Sequence, residues 1–414
     1  MLFSCTSAWA QADYVVHFRV VKEKFLLGEP VFLSFTIQNT GTRPFAFRYR
    51  SPDRVLRAEA EQEPRFVVQD GAGRRLPDPA PHPCGGARGT AVYGYVVLPP
   101  GQEHSERWLL NQWARFAKPG HYRVHAERRL ALLPVDFATR KGAGKPLAYA
   151  LALDDLSLDL LPAAADDLAS AFQPYVKMVE DPRAADPAEA ALVLTTLPHP
   201  FLLDVLRKMA GPAAHDRWDR KQALEGLARL GTPAAWDLVL IIAREGEGAP
   251  AEKAASGDSA KDESLRAYAT LLLAEKGDTA FVPTLLEMMR TASEPLRGDV
   301  VRALGFFQDD RVNQALFEAL HAPSPQERMN AILGLRNLGT KESIPALLAM
   351  LNDPDPQVRQ VANFALESLT GQHFKLPPQA SRAETAQAAQ QWHAWWREHS
   401  ETFEPPRPPA CRDW

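Results

Sequence analysis

Two hydrophobic periodicities divide the chain. From residue 13 to about 161, apolar positions recur at every second residue, the period of strands with one face on a core and the other in solvent. Val31, Leu33, Phe35 and Ile37 alternate with Phe32, Ser34, Thr36 and Gln38 before the turn residues Asn39-Thr40-Gly41. Further strands are predicted over 14–21, over 65–69 running into Asp70-Gly71, and over 93–98 ending at Pro99-Pro100-Gly101. Tyr122, Val124 and Ala126 oppose His121, Arg123, His125 and Glu127, and Leu156, Leu158 and Leu160 alternate with Ser157 and Asp159. Several short strands punctuated by turns over this length predict an antiparallel β-sandwich.

After Pro162 the period becomes 3.6 and the chain repeats itself. Aligned on Arg220, Arg266, Arg297, Arg328 and Arg359, the units are spaced by 46, 31, 31 and 31 residues. Seven residues after each Arg comes Leu227, Leu273, Leu304, Leu335 or Leu366, and each first helix then ends near a turn such as Leu338-Gly339-Thr340. Pro283 and Pro345 fit the first turn of a second helix, where the missing N–H costs little. A helix pair repeated at about thirty residues is the pattern of an α-solenoid, whose units bury their apolar faces only against neighbours. The segments Asp353-Pro354-Asp355-Pro356-Gln357-Val358-Arg359 and Leu338-Gly339-Thr340-Lys341-Glu342-Ser343-Ile344-Pro345-Ala346-Leu347-Leu348 resemble HEAT repeats of the short bacterial type found in phycobilin-lyase-like proteins. That resemblance implies a right-handed solenoid over 187–371. The Arg column is read as structural, bonding acids and carbonyls of the adjoining repeat.

The expected organisation is a residual signal-like segment at 1–12, an immunoglobulin-like sandwich at 13–161 and a linker helix within 162–186. The HEAT-like solenoid follows at 187–371, then a capping helix within 372–404 and a Pro-rich tail at 405–414. The longer first spacing corresponds to 247–261, a Gly/Ala/Ser/Glu insertion whose composition predicts a mobile loop. The capping helix carries Trp392, Trp395 and Trp396 at i, i+3 and i+4, on one side. They are read as hiding the open apolar end of the solenoid, or as a stacking surface for a partner.

In the first half, Leu98-Pro99-Pro100-Gly101-Gln102, Leu109-Leu110-Asn111-Gln112-Trp113, Phe116 and Lys118-Pro119-Gly120-His121-Tyr122-Arg123-Val124 resemble the end of immunoglobulin-like accessory domains in bacterial exported proteins. They also resemble the β-domain of deuterolysin-like peptidases. The peptidase motif His-Glu-x-x-His does not occur in the chain.

Composition narrows the function classes. With 45% hydrophobic and 24% charged residues, the 414-residue chain has the proportions of a globular protein able to bury large cores. A net charge of −4 disfavours a general nucleic-acid binder, and three cysteines cannot form a disulfide framework. The charge is uneven: residues 13–161 contain 21 basic and 16 acidic residues, whereas 162–414 contain 26 and 35. Arg43, Arg48, Arg50, Arg54 and Arg57 concentrate on or near a loop at 51–64 and are candidate contacts for an acidic partner.

Catalytic and metal patterns are weak. His82-Pro83-Cys84 and His121/His125 each supply fewer ligands than a metal site needs. Gly142-Ala143-Gly144-Lys145-Pro146 lacks the first Gly and the Ser/Thr of a phosphate loop, and no Gly-x-Ser-x-Gly occurs. Asp309-Asp310 reads as helix-end acids. No cofactor, metal or catalytic residue is assigned.

At the N-terminus, Ala8-Trp9-Ala10 has the small-x-small pattern of a signal-peptidase site, and Leu2-Phe3-Ser4-Cys5 offers Cys5 as an alternative lipid-anchor position. The sequence therefore predicts a periplasmic or extracellular, non-catalytic scaffold without a membrane span, holding a protein partner on the solenoid. Its concave face, lined by second helices, is the expected site. A cytoplasmic location, a bilin-lyase-like or peptidase-associated role, and proteinase inhibition through sandwich loops at 51–64 or 78–89 are the alternatives. Oligomeric state is not legible.

Overall fold

The structure is a computed structural model that describes residues 13–50, 64–79, 93–136, 141–142, 145–181, 183–184, 186–211, 217–246, 259–377 and 379–405. Residues 1–12 with Cys5, most of both inhibitory-loop candidates, Arg54, Arg57, His82, Cys84, most of the 247–261 insertion and all but Pro405 of the tail lie outside them. The chain divides into two compact units, with the boundary between Leu197 and Pro198.

Among the described residues the first unit has ten strands: β1 (Tyr14–Val20), β2 (Lys24–Leu26), β3 (Phe32–Asn39), β4 (Phe45–Arg50), β5 (Arg65–Asp70), β6 (Tyr93–Leu98), β7 (Glu103–Leu109), β8 (Gly120–Asp136), β9 (Lys141–Gly142) and β10 (Ala148–Leu161). One sheet has the order β1-β3-β7 and the other β2-β10-β8-β4-β6, with β5 and β9 also paired to β8. All pairings are antiparallel except β2 with β10. The alternation in β3 is realised: Val31, Leu33, Phe35 and Ile37 are buried, and they join Phe18, Phe47, Val124 and Leu130 in one core. Burying such apolar side chains contributes roughly 1.5–3 kcal/mol each.

Two polar side chains hold the sandwich ends. Asn39 is buried at the end of β3, and its Nδ2 donates to the carbonyls of Arg43 and Leu98 at 2.9 and 2.8 Å. Asn111 Oδ1 accepts from Val31 N at 2.7 Å. Each satisfies backbone groups that the ladders leave unpaired.

The first unit also contains α1 (Ala165–Glu180) and α2 (Pro187–Thr196). Arg107, on the face of β7 opposite the core, lies 4.1 Å from the Phe32 ring centre and forms a 2.9 Å ion pair with Glu189 of α2. This explains why Phe32, which alternation alone places outward, is buried.

The second unit contains α3 (Leu203–Ala210), α4 (Arg217–Leu230), α5 (Pro233–Glu245), α6 (Ser259–Lys276), α7 (Val282–Thr291), α8 (Glu294–Leu304), α9 (Asp310–Ala319), α10 (Pro325–Leu338), α11 (Ser343–Met350), α12 (Pro356–Thr370) and α13 (Arg382–His399). From α4 onward these are helix pairs in series, a solenoid. Thr232 and Asp355 cap α5 and α12, each followed by a Pro at the first helical position. Gly339 and Gly371 end α10 and α12 in the left-handed conformation, at φ of 63° and 69°. The helix-length and apolarity requirement for crossing a membrane is met by none of the described helices.

Candidate functional site

The Arg column fixes how successive repeats meet. Arg266 donates to the carbonyls of Ala243 and Arg244 at 3.2 and 2.7 Å, at the end of the preceding repeat. Arg328 grips Asp353 with Nε and Nη2, both at 2.8 Å, and its Nη1 donates to the carbonyls of Ala322 and Pro323. Arg359 Nη1 in turn donates to Asp353 O at 2.8 Å. Asp353 thus ties the Arg of one repeat to the Arg of the next. Arg297 Nε lies 2.9 Å from Glu327 Oε1 of the following repeat, and Arg220 Nε donates to Ala210 O. Bidentate, charge-assisted bonds of this kind fix geometry as well as energy.

With the turns tied in this way, the first helices α6, α8, α10 and α12 pack flank to flank. Helices α8 and α10 come close at Gly305, where a Cβ would lie 2.4 Å from Gly334 Cα. The second helices α7, α9 and α11 touch one another only sparsely. A row that is tight on one side and loose on the other leaves open grooves between second helices.

One such groove, about 950 Å³, lies between α9 and the turn at 338–342 that leads into α11. Its wall is the face of α9 opposite the buried Val312, Ala315, Leu316 and Ala319. Asp310, Asn313, Gln314, Phe317 and Glu318 project there, followed by His321, while Leu338, Thr340 and Glu342 form the opposite side. Phe317 and Leu338 give the groove an apolar base, and the rest of the lining is polar.

The charges at this groove are only partly balanced. Asp309 caps α9 and is clamped by Arg311, which donates to both carboxylate oxygens at 2.9 and 2.6 Å. Those bonds hold the Asp309 carboxyl below the usual carboxylate range. Lys341, between Thr340 and Glu342 but outside the lining, directs its Nζ to Glu401 O at 3.2 Å. Among the described residues Asp310, Glu318 and Glu342 form no ion pair, and Glu318 Oε1 accepts from Gln314 Nε2 at 3.2 Å. Asn313 Oδ1 is shielded from solvent and has no hydrogen-bond donor.

The candidates read from the sequence fall in other places. Arg43 and Arg48 are exposed, Arg50 is described only by its backbone at the end of β4, and Arg54 and Arg57 lie outside the described residues. Trp392 is corrected as a partner contact: it is fully buried, donates Nε1 to Asn363 Oδ1 at 2.8 Å and meets Phe374 edge-on at 4.7 Å. Its size and its N–H are used inside the cap. Trp395 and Trp396 are half-buried; Trp395 stacks on His399 at 4.8 Å, and both pack near Phe403. His121 and His125 each face one carboxylate across the β8–β10 ladder, Asp159 and Asp155, at 2.9 Å. Among the described residues no group of three or more metal-ligating side chains converges.

The groove is not legible in the sequence, where Leu338, Thr340 and Glu342 read as a HEAT-like turn and Asp309 and Asp310 as helix-end acids. The available signal was the pattern of α9 itself, which sets amides and a Phe at i, i+1 and i+4 opposite its apolar stripe.

A family model described as HEAT repeats matches residues 257–328, 282–367 and 313–381. Computationally designed armadillo repeat proteins for modular peptide recognition are similar at 16% identity over 50% of this chain and 94% of theirs, with a TM-score of 0.29. The complex of CpcE and CpcF of phycocyanin lyase from a Nostoc species is similar at 15% identity over 55% and 82%, with a TM-score of 0.29. Aminopeptidase A of Legionella pneumophila is similar at 10% identity over 86% and 39%, with a TM-score of 0.34. No curated protein matches the chain. Residues 257–381 carry HEAT repeats, and the groove between α9 and α11 is built from them.

Proposed function

We propose that the protein is a non-catalytic interaction scaffold that holds a segment of a protein partner on the second-helix face of its repeats. The observation that carries this reading is the open groove beside α9, with an apolar base at Phe317 and Leu338 and a rim of polar side chains. An apolar centre inside a polar rim suits a protein segment, because the centre gains from losing water while the rim stays hydrated. HEAT repeats supply such surfaces without an enclosed reaction chamber.

Export belongs to this reading and rests on Ala8-Trp9-Ala10, with Cys5 as the alternative anchor position. Mass spectrometry of the mature N-terminus in the source organism distinguishes cleavage after Ala10 from acylation at Cys5.

The test of the scaffold is a paired pull-down from envelope extract with the full chain and its Phe317→Ala variant. Proteins retained by the former and lost from the latter support the groove as the holding site. Identical retention by both overturns it.

A further inference from the structure

The groove beside α9 also specifies what kind of segment it holds. We infer that its occupant is a cationic, extended stretch of a protein partner, whose Lys or Arg side chains meet Asp310, Glu318 and Glu342. This rests on the scaffold reading above and adds the chemistry of the partner.

Four observations support it. First, the three carboxylates sit on both walls of one groove and none is in an ion pair among the described residues, so any chain lying along the base is flanked by negative charge. Second, neither of the two cations nearest in sequence is bonded to these carboxylates: Arg311 is paired with Asp309, and Lys341, which keeps its charge, directs its Nζ to the carbonyl of Glu401. Third, Phe317 and Leu338 give the alkyl stems of Lys or Arg an apolar base to lie on. Fourth, the dimensions suit an extended chain. Asp310 to Glu318 spans about 12 Å at 1.5 Å per residue, the reach of roughly four residues of extended backbone.

Uncompensated carboxylates beside an apolar base attract ammonium and guanidinium groups whose alkyl stems can cover that base. An anionic segment would meet like charges on both sides. Exposed pairs of this kind are individually weak, so the preference comes from several acting together and is screened by salt.

The test uses the full chain and three fluorescein-labelled dodecapeptides on a Gly/Ser background, one with four Lys, one with four Glu and one uncharged, titrated by fluorescence anisotropy. The Lys peptide is expected to bind on the order of tenfold more tightly than the others at ~50 mM salt and to weaken as salt rises. Combined Asp310→Asn, Glu318→Gln and Glu342→Gln should remove most of that preference. Combined Glu23→Gln, Glu103→Gln and Asp237→Asn, at exposed acids that do not line the groove, should change it by less than about twofold. Circular dichroism checks that both triple variants remain folded.

Equal binding of the Lys and uncharged peptides overturns the inference, as does an equal loss in the two triple variants. If the uncharged peptide binds as tightly as the Lys peptide and Phe317→Ala abolishes both, the scaffold reading survives and the cationic specification falls. If no peptide responds to any groove variant, both fall.

Discussion

Arg128 Nη1 lies 2.6 Å from Glu106 Oε2, and this ion pair joins the two sheets through the middle of the sandwich core. Both side chains are more than nine-tenths buried, and the Arg128 guanidinium also stands over Phe35 at 4.5 Å and Trp108 at 5.4 Å. Removing one partner of such a pair leaves the other charge buried and uncompensated, at a cost of about 3–5 kcal/mol. Glu106→Gln should therefore lower stability strongly in urea unfolding at neutral pH. The double change Glu106→Leu with Arg128→Met should recover much of the loss, because it removes both desolvated charges. A double variant as unstable as the single one would show that the pair contributes more than charge balance.

Acid and base act oppositely on two carboxylates of the first unit, the buried Glu106 and the half-buried Glu189. Burial pushes Glu106 up, but the His104 imidazole 3.3 Å away and the Arg128 charge outweigh it and hold the group below its usual range. The folded state then binds this proton less tightly than the unfolded state. Its stabilisation is complete above the usual carboxylate range and is lost as pH falls through the depressed folded value. Burial raises Glu189 despite Arg107, so there folding takes up a proton and stability declines as pH rises past the usual range. Urea midpoints measured against pH should fall less steeply for Glu189→Gln than for the natural chain as pH rises just past the usual carboxylate range, with the two slopes alike at alkaline pH.

Arg328→Lys should uncouple neighbouring repeats. An ammonium replaces neither the two-pronged grip on Asp353 nor the bonds to Ala322 and Pro323. A loss of about 1–3 kcal/mol is expected. It should appear as faster amide exchange in α10 and α12 than in α4 and α5, which the change leaves untouched.

Gly305→Ala should destabilise through packing alone. Gly305 has helical φ and ψ, so its backbone accepts alanine, yet the added Cβ would sit 2.4 Å from Gly334 Cα. Forcing α8 and α10 apart should cost about 1–3 kcal/mol. Gly101→Ala, where φ is 76° and nothing lies within 4 Å, tests the alternative: its cost comes from backbone strain and should leave the solenoid's amide exchange unchanged.

The sequence by itself determined the two fold classes, the strands around β3 and β8, and the Arg column, because each depends on a periodicity written along the chain. Period-two alternation selects the buried face of a strand, and a thirty-residue repeat requires neighbouring units to pack alike. The tertiary structure alone decided the features that join residues far apart in sequence. Alternation carried past Ala126 turns Arg128 inward, but nothing in the sequence shows Glu106 waiting in the other sheet 22 residues earlier. Helical spacing placed Trp392 with Trp395 and Trp396, but only the position of Asn363 on α12 shows which indole is taken into the interior. The groove beside α9 was illegible for the same reason. Its walls come from two repeats, and its opening depends on first helices locked together at Gly305 and Gly334 while the second helices stand apart.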